Sequence, residues 1–230
     1  MRLALTLLLA AGLALPGCAS RLALAPGPGA QAVADDPFAA TAEVGGLRAT
    51  VEGRWKGEPP SLGDYVTPVR VTLENRSGAP VRLRYQDFTL TSRNGVTAHA
   101  LPPFKIQRAG FGGAYAVAPF WPHEHFWLAP PYGPYYPGWA LWTGPFAWDY
   151  PYYELYFGRW ELSLPTRDML QKAMPEGVLE GGGKATGYLY FQRVQGEPGT
   201  EVQFRIHLVD ANTEAEIGRL VIPMVVKPAP

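Results

Sequence analysis

A single cysteine, Cys18, is all the thiol chemistry in this chain of 230 residues, so neither an internal disulfide nor a cysteine-based metal finger is expected. Charge is also sparse: charged residues make up 17%, and the 20 basic and 20 acidic side chains cancel. Without a net field nothing draws the chain onto a polyanion, and no nucleic-acid partner is expected. No apolar run reaches the roughly 20 residues that a membrane-spanning helix needs. Local catalytic signatures are missing too. There is no Gly-x-Ser-x-Gly elbow, no Ser-x-x-Lys and no His-Glu-x-x-His. Gly181-Gly182-Gly183-Lys184-Ala185-Thr186 falls short of a phosphate loop, with Val178 in place of the first glycine and Ala185 after the lysine, and it reads as a turn. What remains is 47% hydrophobic and 13% aromatic, ample for the core of one domain.

The longest apolar run, Leu3 to Leu15, follows Arg2 and precedes small residues, the form of a secretion leader. It ends in Leu15-Pro16-Gly17-Cys18. An aliphatic residue, two mostly small residues and Cys resemble the lipobox of bacterial lipoproteins, Pro16 being a less common occupant of its position. The resemblance implies a signal peptide over 1–17, cleavage before Cys18, a diacylglyceryl group on its thiol and acylation of the new amino group. Two or more chains anchor firmly where one is marginal. By the sorting rule of such lipoproteins, Ala19 in place of Asp implies attachment at the outer membrane of a Gram-negative cell. The expected partner is therefore a membrane, held through acyl chains, and the expected location is the cell envelope.

From Cys18 to residue 42 the chain is rich in Ala, Pro and Gly and shows no hydrophobic period, which predicts a flexible tether. Asp35-Asp36 within it reads as a solvated feature and not as a catalytic pair. A folded domain is expected over 43–230. Val69, Val71 and Leu73 alternate with Arg70, Thr72 and Glu74, and Val81, Leu83 and Tyr85 alternate in the same way, predicting a hairpin around Asn75-Arg76-Ser77-Gly78. Asn94-Gly95 predicts a second hairpin with a type I′ turn. Thr166 as a cap, good helix formers from Arg167 to Met174 and Pro175 as a stop predict one short helix over about 167–174. Later strands are expected at Tyr188–Phe191, at Val202–Leu208 and from about Ile217 to Val226, with Pro223 marking an edge or a bend. Short strands set off by Gly, Pro and Asn turns predict an all-β fold, an antiparallel β-sandwich of immunoglobulin-like architecture, with a barrel as the alternative.

Glu74-Asn75-Arg76-Ser77-Gly78-Ala79-Pro80-Val81, Asp87-Phe88-Thr89-Leu90 with Asn94-Gly95, and Gly182-Gly183-Lys184-Ala185-Thr186-Gly187-Tyr188-Leu189-Tyr190-Phe191 resemble the hairpins and late strand of Ig-like domains in exported bacterial lipoproteins. The resemblance implies a fold and an extracytoplasmic setting. It carries over no catalytic residue.

A segment of about 102–157 interrupts the β pattern. It is almost free of charge and threads tryptophan and tyrosine between prolines and glycines, as at Tyr135, Tyr136, Trp139, Trp142 and Trp148. Prolines this dense predict a long loop or a partly ordered insertion. Its aromatics have three possible uses: a satellite core over the sandwich, an exposed platform for a glycan, peptide or envelope protein, or contact with the lipid interface. His123 and His125 flank Glu124 and, in an extended strand, share a side, making them the candidates for a metal-dependent enzyme with His99 or Asp149 as a third ligand. Two histidines make an incomplete set, so no metal and no cofactor is expected. The reading is a binding or structural protein and not an enzyme, with Cys18 as the lipid attachment site and the five insertion aromatics as candidate ligand contacts.

Overall fold

The computed structural model describes residues 21–103, 124–128, 167–194 and 196–229. Their strands are β1 (Leu22–Pro26), β2 (Gln31–Val33), β3 (Asp36–Val44), β4 (Leu47–Glu52), β5 (Val66–Asn75), β6 (Val81–Leu83), β7 (Phe88–Ser92), β8 (Thr97–His99), β9 (Glu124–Leu128), β10 (Gly177–Gln192), β11 (Glu201–Asp210) and β12 (Glu216–Pro228), with one helix, α1 (Arg167–Lys172). All strand pairs are antiparallel, in the order β1-β12-β11-β6-β10-β5-β4-β3-β2, with β7 and β8 beyond β11 and β9 on β10. The sheet folds back on itself, because Leu24 in β1 bridges Gly53 just past β4 and its N–H donates to the Gly53 carbonyl at 3.0 Å. The fold is all-β and sandwich- or barrel-like, as the alternation predicts. No described helix is long and apolar enough to cross a membrane.

The core lies between two layers. Leu47, Ala49 and Val51 of β4, Val69, Val71 and Leu73 of β5 and Leu189 and Phe191 of β10 meet Phe88, Leu90, Phe204, Ile206, Leu208, Leu220, Ile222 and Met224 from the other side. Phe191 sets its ring edge-on to Phe204 with centroids 6.2 Å apart, a geometry favoured by the ring quadrupoles. The other face of β10 is covered as well: Tyr188 and Tyr190 sit under Met169, Ala173, Leu62 and Val66. That explains why Tyr188-Leu189-Tyr190-Phe191 is apolar without alternation.

The expected tether is instead part of the sheet from Leu22 onward. β1 pairs with β12 over Leu22↔Pro228 to Pro26↔Met224, and Ala25 and Leu24 are 0% and 2% exposed. Leu24 joins the main core while Ala23 and Ala25 pack on Phe38. A strand buried on both faces and built of Leu, Ala and Pro shows no period, so composition alone mimics a linker. Asp36 likewise belongs to β3 and is not a solvated linker residue.

The turn and hairpin expectations divide. Val69 to Tyr85 is not a hairpin: β5 and β6 are separated by β10, which pairs with both. The connecting turn is held by buried Asn75, whose Nδ2 donates to the Ala79 and Leu179 carbonyls at 2.7 and 2.9 Å. β7 and β8 do form a hairpin, Thr91 opposite Thr97, but only Gly95 has positive φ (80°). Type I′ requires two such residues, so this is a three-residue loop, closed by Gly95 N–H to the Ser92 carbonyl at 3.0 Å and Ser92 N–H to the Val96 carbonyl at 2.9 Å.

Gly181-Gly182-Gly183 is not a turn between strands but a kink inside β10. Gly182 takes φ 80°, a conformation costly for other residues, and residues 177–179 pair with β6 while 184–192 pair with β5. The strand thereby serves both layers. Helix α1 ends at Lys172, two residues short of the expected 174, because Met174 N–H leaves the helix for the Tyr188 carbonyl at 2.8 Å; Thr166 lies outside the described residues. β11 and β12 follow the expected strands. Pro223 is not on an edge strand, since β12 lies between β1 and β11, but it sits where β1 ends, its carbonyl taking the Gly27 N–H at 3.0 Å.

Replacing Ala25 by Asp separates strand from tether. With a carboxylate forced between β1 and Phe38, the unfolding free energy is expected to fall by about 3 kcal/mol or more, read as a drop in the urea midpoint; an unchanged midpoint would contradict the placement of β1.

Candidate functional site

Three chain segments converge at the end of the sandwich where β1 begins. The first is Arg21-Leu22, tied to the C-terminus by Ala229 N–H donating to the Arg21 carbonyl at 2.5 Å. The second is the connection from Gly53 to Val66. Gly53 is needed there because a Cβ would stand 2.3 Å from the Leu24 carbonyl oxygen, so the strands close only with glycine at this crossing. The third is Arg193-Val194, fixed as Val194 N–H donates to Thr67 Oγ1 at 2.8 Å.

Between them lies a cavity of about 140 Å³. Arg21, Arg54 and Arg193 line it, together with Leu22, Trp55 and Val194, and no acidic residue does. Trp55 is held firmly. Its indole N–H donates to the Pro59 carbonyl at 3.0 Å, and its ring stands edge-on to Tyr188 with centroids 4.7 Å apart. Lys172 Nζ lies 5.6 Å from the ring centroid on the far element α1, within range for a cation over a π face. The Tyr188 hydroxyl accepts from Lys56 N–H at 3.1 Å and donates to the Arg54 carbonyl at 3.2 Å. Burial, with the neighbouring Glu52 charge, pushes its pKa up to about 12, so it stays a neutral donor.

Electrostatics sort the three arginines. Arg54 is committed to the protein: its guanidinium is 3.8 Å from buried Glu52, 3.9 Å from Asp36 and 5.3 Å from the Phe38 ring centroid. Lys56 pairs with Glu52 and lies 3.6 Å from Asp36, and Arg70 lies 3.5 Å from Glu52. Arg21 and Arg193 are exposed and form no ion pair with any described residue. Burial alone would raise the Asp36 carboxyl, but the Phe38 N–H donating to it at 2.9 Å, with Lys56 and Arg54 nearby, outweighs burial and holds it below the ordinary carboxylate value.

A second group of charges occupies the corner where β6 joins β10 to β11. Arg82, Arg84, Asp87 and Glu176 are all buried. Glu176 accepts the Tyr85 N–H at 2.7 Å, and Arg82 lies 3.2 Å from Glu214. Burial raises the Asp87 carboxyl, against the opposing pull of Arg82 and Arg84. The cluster is only partly matched: Arg82 Nε and Asp87 Oδ2 are buried without a hydrogen-bond partner among the described residues. His207 stands on the exposed side of β11, 3.3 Å from Glu216.

Of the residues singled out in the sequence, Cys18, His123, Tyr135, Tyr136, Trp139, Trp142, Trp148 and Asp149 lie outside the described residues. The proline-rich insertion does contain a strand, β9, which pairs with β10 at Leu128↔Gly177. His125 on β9 is exposed, but its φ of 52° breaks the extended alternation assumed in placing both histidines on one side. His99 spends its Nδ1 on the Gln86 carbonyl, 3.0 Å away. Among the described residues no three His, Cys, Asp or Glu side chains gather so as to hold a metal. The arginine-lined cavity was missed in the sequence, because its parts are spread over residues 21 to 229. Trp55 was the available clue, the one tryptophan remote from the aromatic insertion.

The Asp36 pairing makes a pH-dependent prediction. A depressed carboxylate adds stability above its unfolded pKa of 3.8 and loses it as pH falls through the lower folded value. The stability difference between the native chain and Asp36→Asn should therefore be constant above about pH 5 and shrink below pH 3.8, as followed by urea titrations across pH; a difference independent of pH would contradict the ion network. No protein-family model, no curated protein and no solved structure matches the chain.

Proposed function

We propose that this protein is a lipoprotein of the cell envelope, anchored by acyl chains on Cys18, whose immunoglobulin-like sandwich works by binding or as a structural element and not by catalysis. The observation that carries the reading is the lone Cys18 directly after Leu15-Pro16-Gly17 at the end of the apolar run, and the start of β1 at Leu22 limits how far the fold can stand from that anchor. Only Ala19, Ser20 and Arg21 stand between the acylated residue and the sheet. At no more than about 3.6 Å per residue, that link reaches roughly 14 Å. The headgroup layer on each side of a bilayer is itself roughly 5–8 Å thick. The sandwich is thus held against its membrane by the end that carries the arginine-lined cavity, and it does not swing on a tether. Ala19 after the cysteine favours the outer membrane.

Intact mass spectrometry of the mature chain checks the anchor. The expected species starts at Cys18 and carries a diacylglyceryl thioether and an acylated amino group. An unmodified thiol, or a start beyond Cys18, would sink the reading.

A further inference from the structure

The cavity at the base of the sandwich has an excess of cations that the fold does not use. Arg21 and Arg193 come from opposite ends of the chain and line one space of about 140 Å³ with no described carboxylate paired to either. Arg54 is already matched by Glu52 and Asp36, so Arg21 and Arg193 are the positive charges left to attract an anion from solution. Arginine forks match the oxygens of a phosphate, donating two parallel N–H bonds to it. The remaining walls are apolar, with Leu22, Trp55 and Val194 facing the same space. A ligand that satisfies both has a phosphate at one end and carbon at the other. A phosphodiester with its adjoining glycerol carbons presents both kinds of surface to these walls.

Position selects the source of that phosphate. Arg21 is three residues from Cys18, so under the anchoring reading, on which this inference rests, the cavity opens within reach of the headgroups of the same leaflet. Tethering raises the effective concentration of those headgroups far above that of any free anion, and each exposed arginine near an anionic surface contributes about 1 kcal/mol. We propose that this cavity seats the phosphate of an anionic phospholipid headgroup, fixing the orientation of the sandwich on the membrane to which it is anchored.

Native mass spectrometry of the full acylated chain in detergent tests this, with phosphatidylglycerol, phosphatidylcholine and inorganic phosphate as probes. One phosphatidylglycerol should be retained per chain in preference to phosphatidylcholine. The double variant R21Q/R193Q should weaken that retention roughly 30-fold, at about 1 kcal/mol for each cation removed, while R21K/R193K keeps part of it. Both arginines are exposed and have no ion pair among the described residues, and an unchanged melting temperature of the variants confirms that folding is intact. Equal retention of the two lipids, or full retention by R21Q/R193Q, would overturn the proposal. So would inorganic phosphate binding as tightly as phosphatidylglycerol, which would make the cavity a soluble-anion site. The same spectra report the acyl mass on Cys18. Unmodified chain that still prefers phosphatidylglycerol defeats the anchor but not the headgroup site, whereas acylated chain without the preference defeats the headgroup site alone.

Discussion

Burial of β10 on both faces is the constraint from which the rest of the molecule follows. Leu189 and Phe191 close the main core while Tyr188 and Tyr190 close a second one under α1 and Trp55. A strand in that position cannot leave a hydroxyl unmatched, and both tyrosines reach backbone carbonyls, Tyr190 that of Met169 at 2.9 Å and Tyr188 that of Arg54 at 3.2 Å. The kink at Gly182 lets the same strand pair with β6 at one end and β5 at the other. Without it the two layers would lose their shared strand.

The same strand links core to surface. Tyr188 fixes the backbone of Arg54 and Lys56, Trp55 stands edge-on to it, and the strand exits through Arg193 and Val194 into the cavity wall. A residue whose first duty is packing thus fixes the backbone of Arg54 in the cavity wall. β1 completes the arrangement by crossing at Gly53, so the chain enters the fold at the lip of that cavity. Anchoring and headgroup recognition, as proposed, would use one end of the sandwich.

Legibility in the sequence tracked the exposure of each strand. β11 buries Val202, Phe204, Ile206 and Leu208 and exposes Gln203 and Arg205, so its period of two was plain. β1 was illegible because both of its faces are covered and its residues are Leu, Ala and Pro. The pairing of β5 was misjudged for a different reason: two alternating runs joined by a good turn are the local signature of a hairpin, yet β10, arriving about a hundred residues later, takes the place between them. Asn75 shows why the turn suits that outcome, since its amide serves Leu179 of β10 as well as its own loop. The site was less legible still. Arg21, Arg54 and Arg193 carry no shared spacing, and a cavity between them exists only once three segments meet.

By itself the sequence determined the all-β class, the antiparallel strands with one polar face, a short helix near 167–174 and a lone cysteine after an apolar N-terminal run. These are local properties, written in side-chain period, turn residues and spacing. Tertiary structure alone decided that residues 22–44 are sheet and not tether, that the glycine triplet is a kink inside one strand, and that three distant arginines share a cavity beside the point where the chain enters. Each of those depends on which surfaces are covered by residues far away in sequence, because burial on both faces erases the periodicity from which local structure is read.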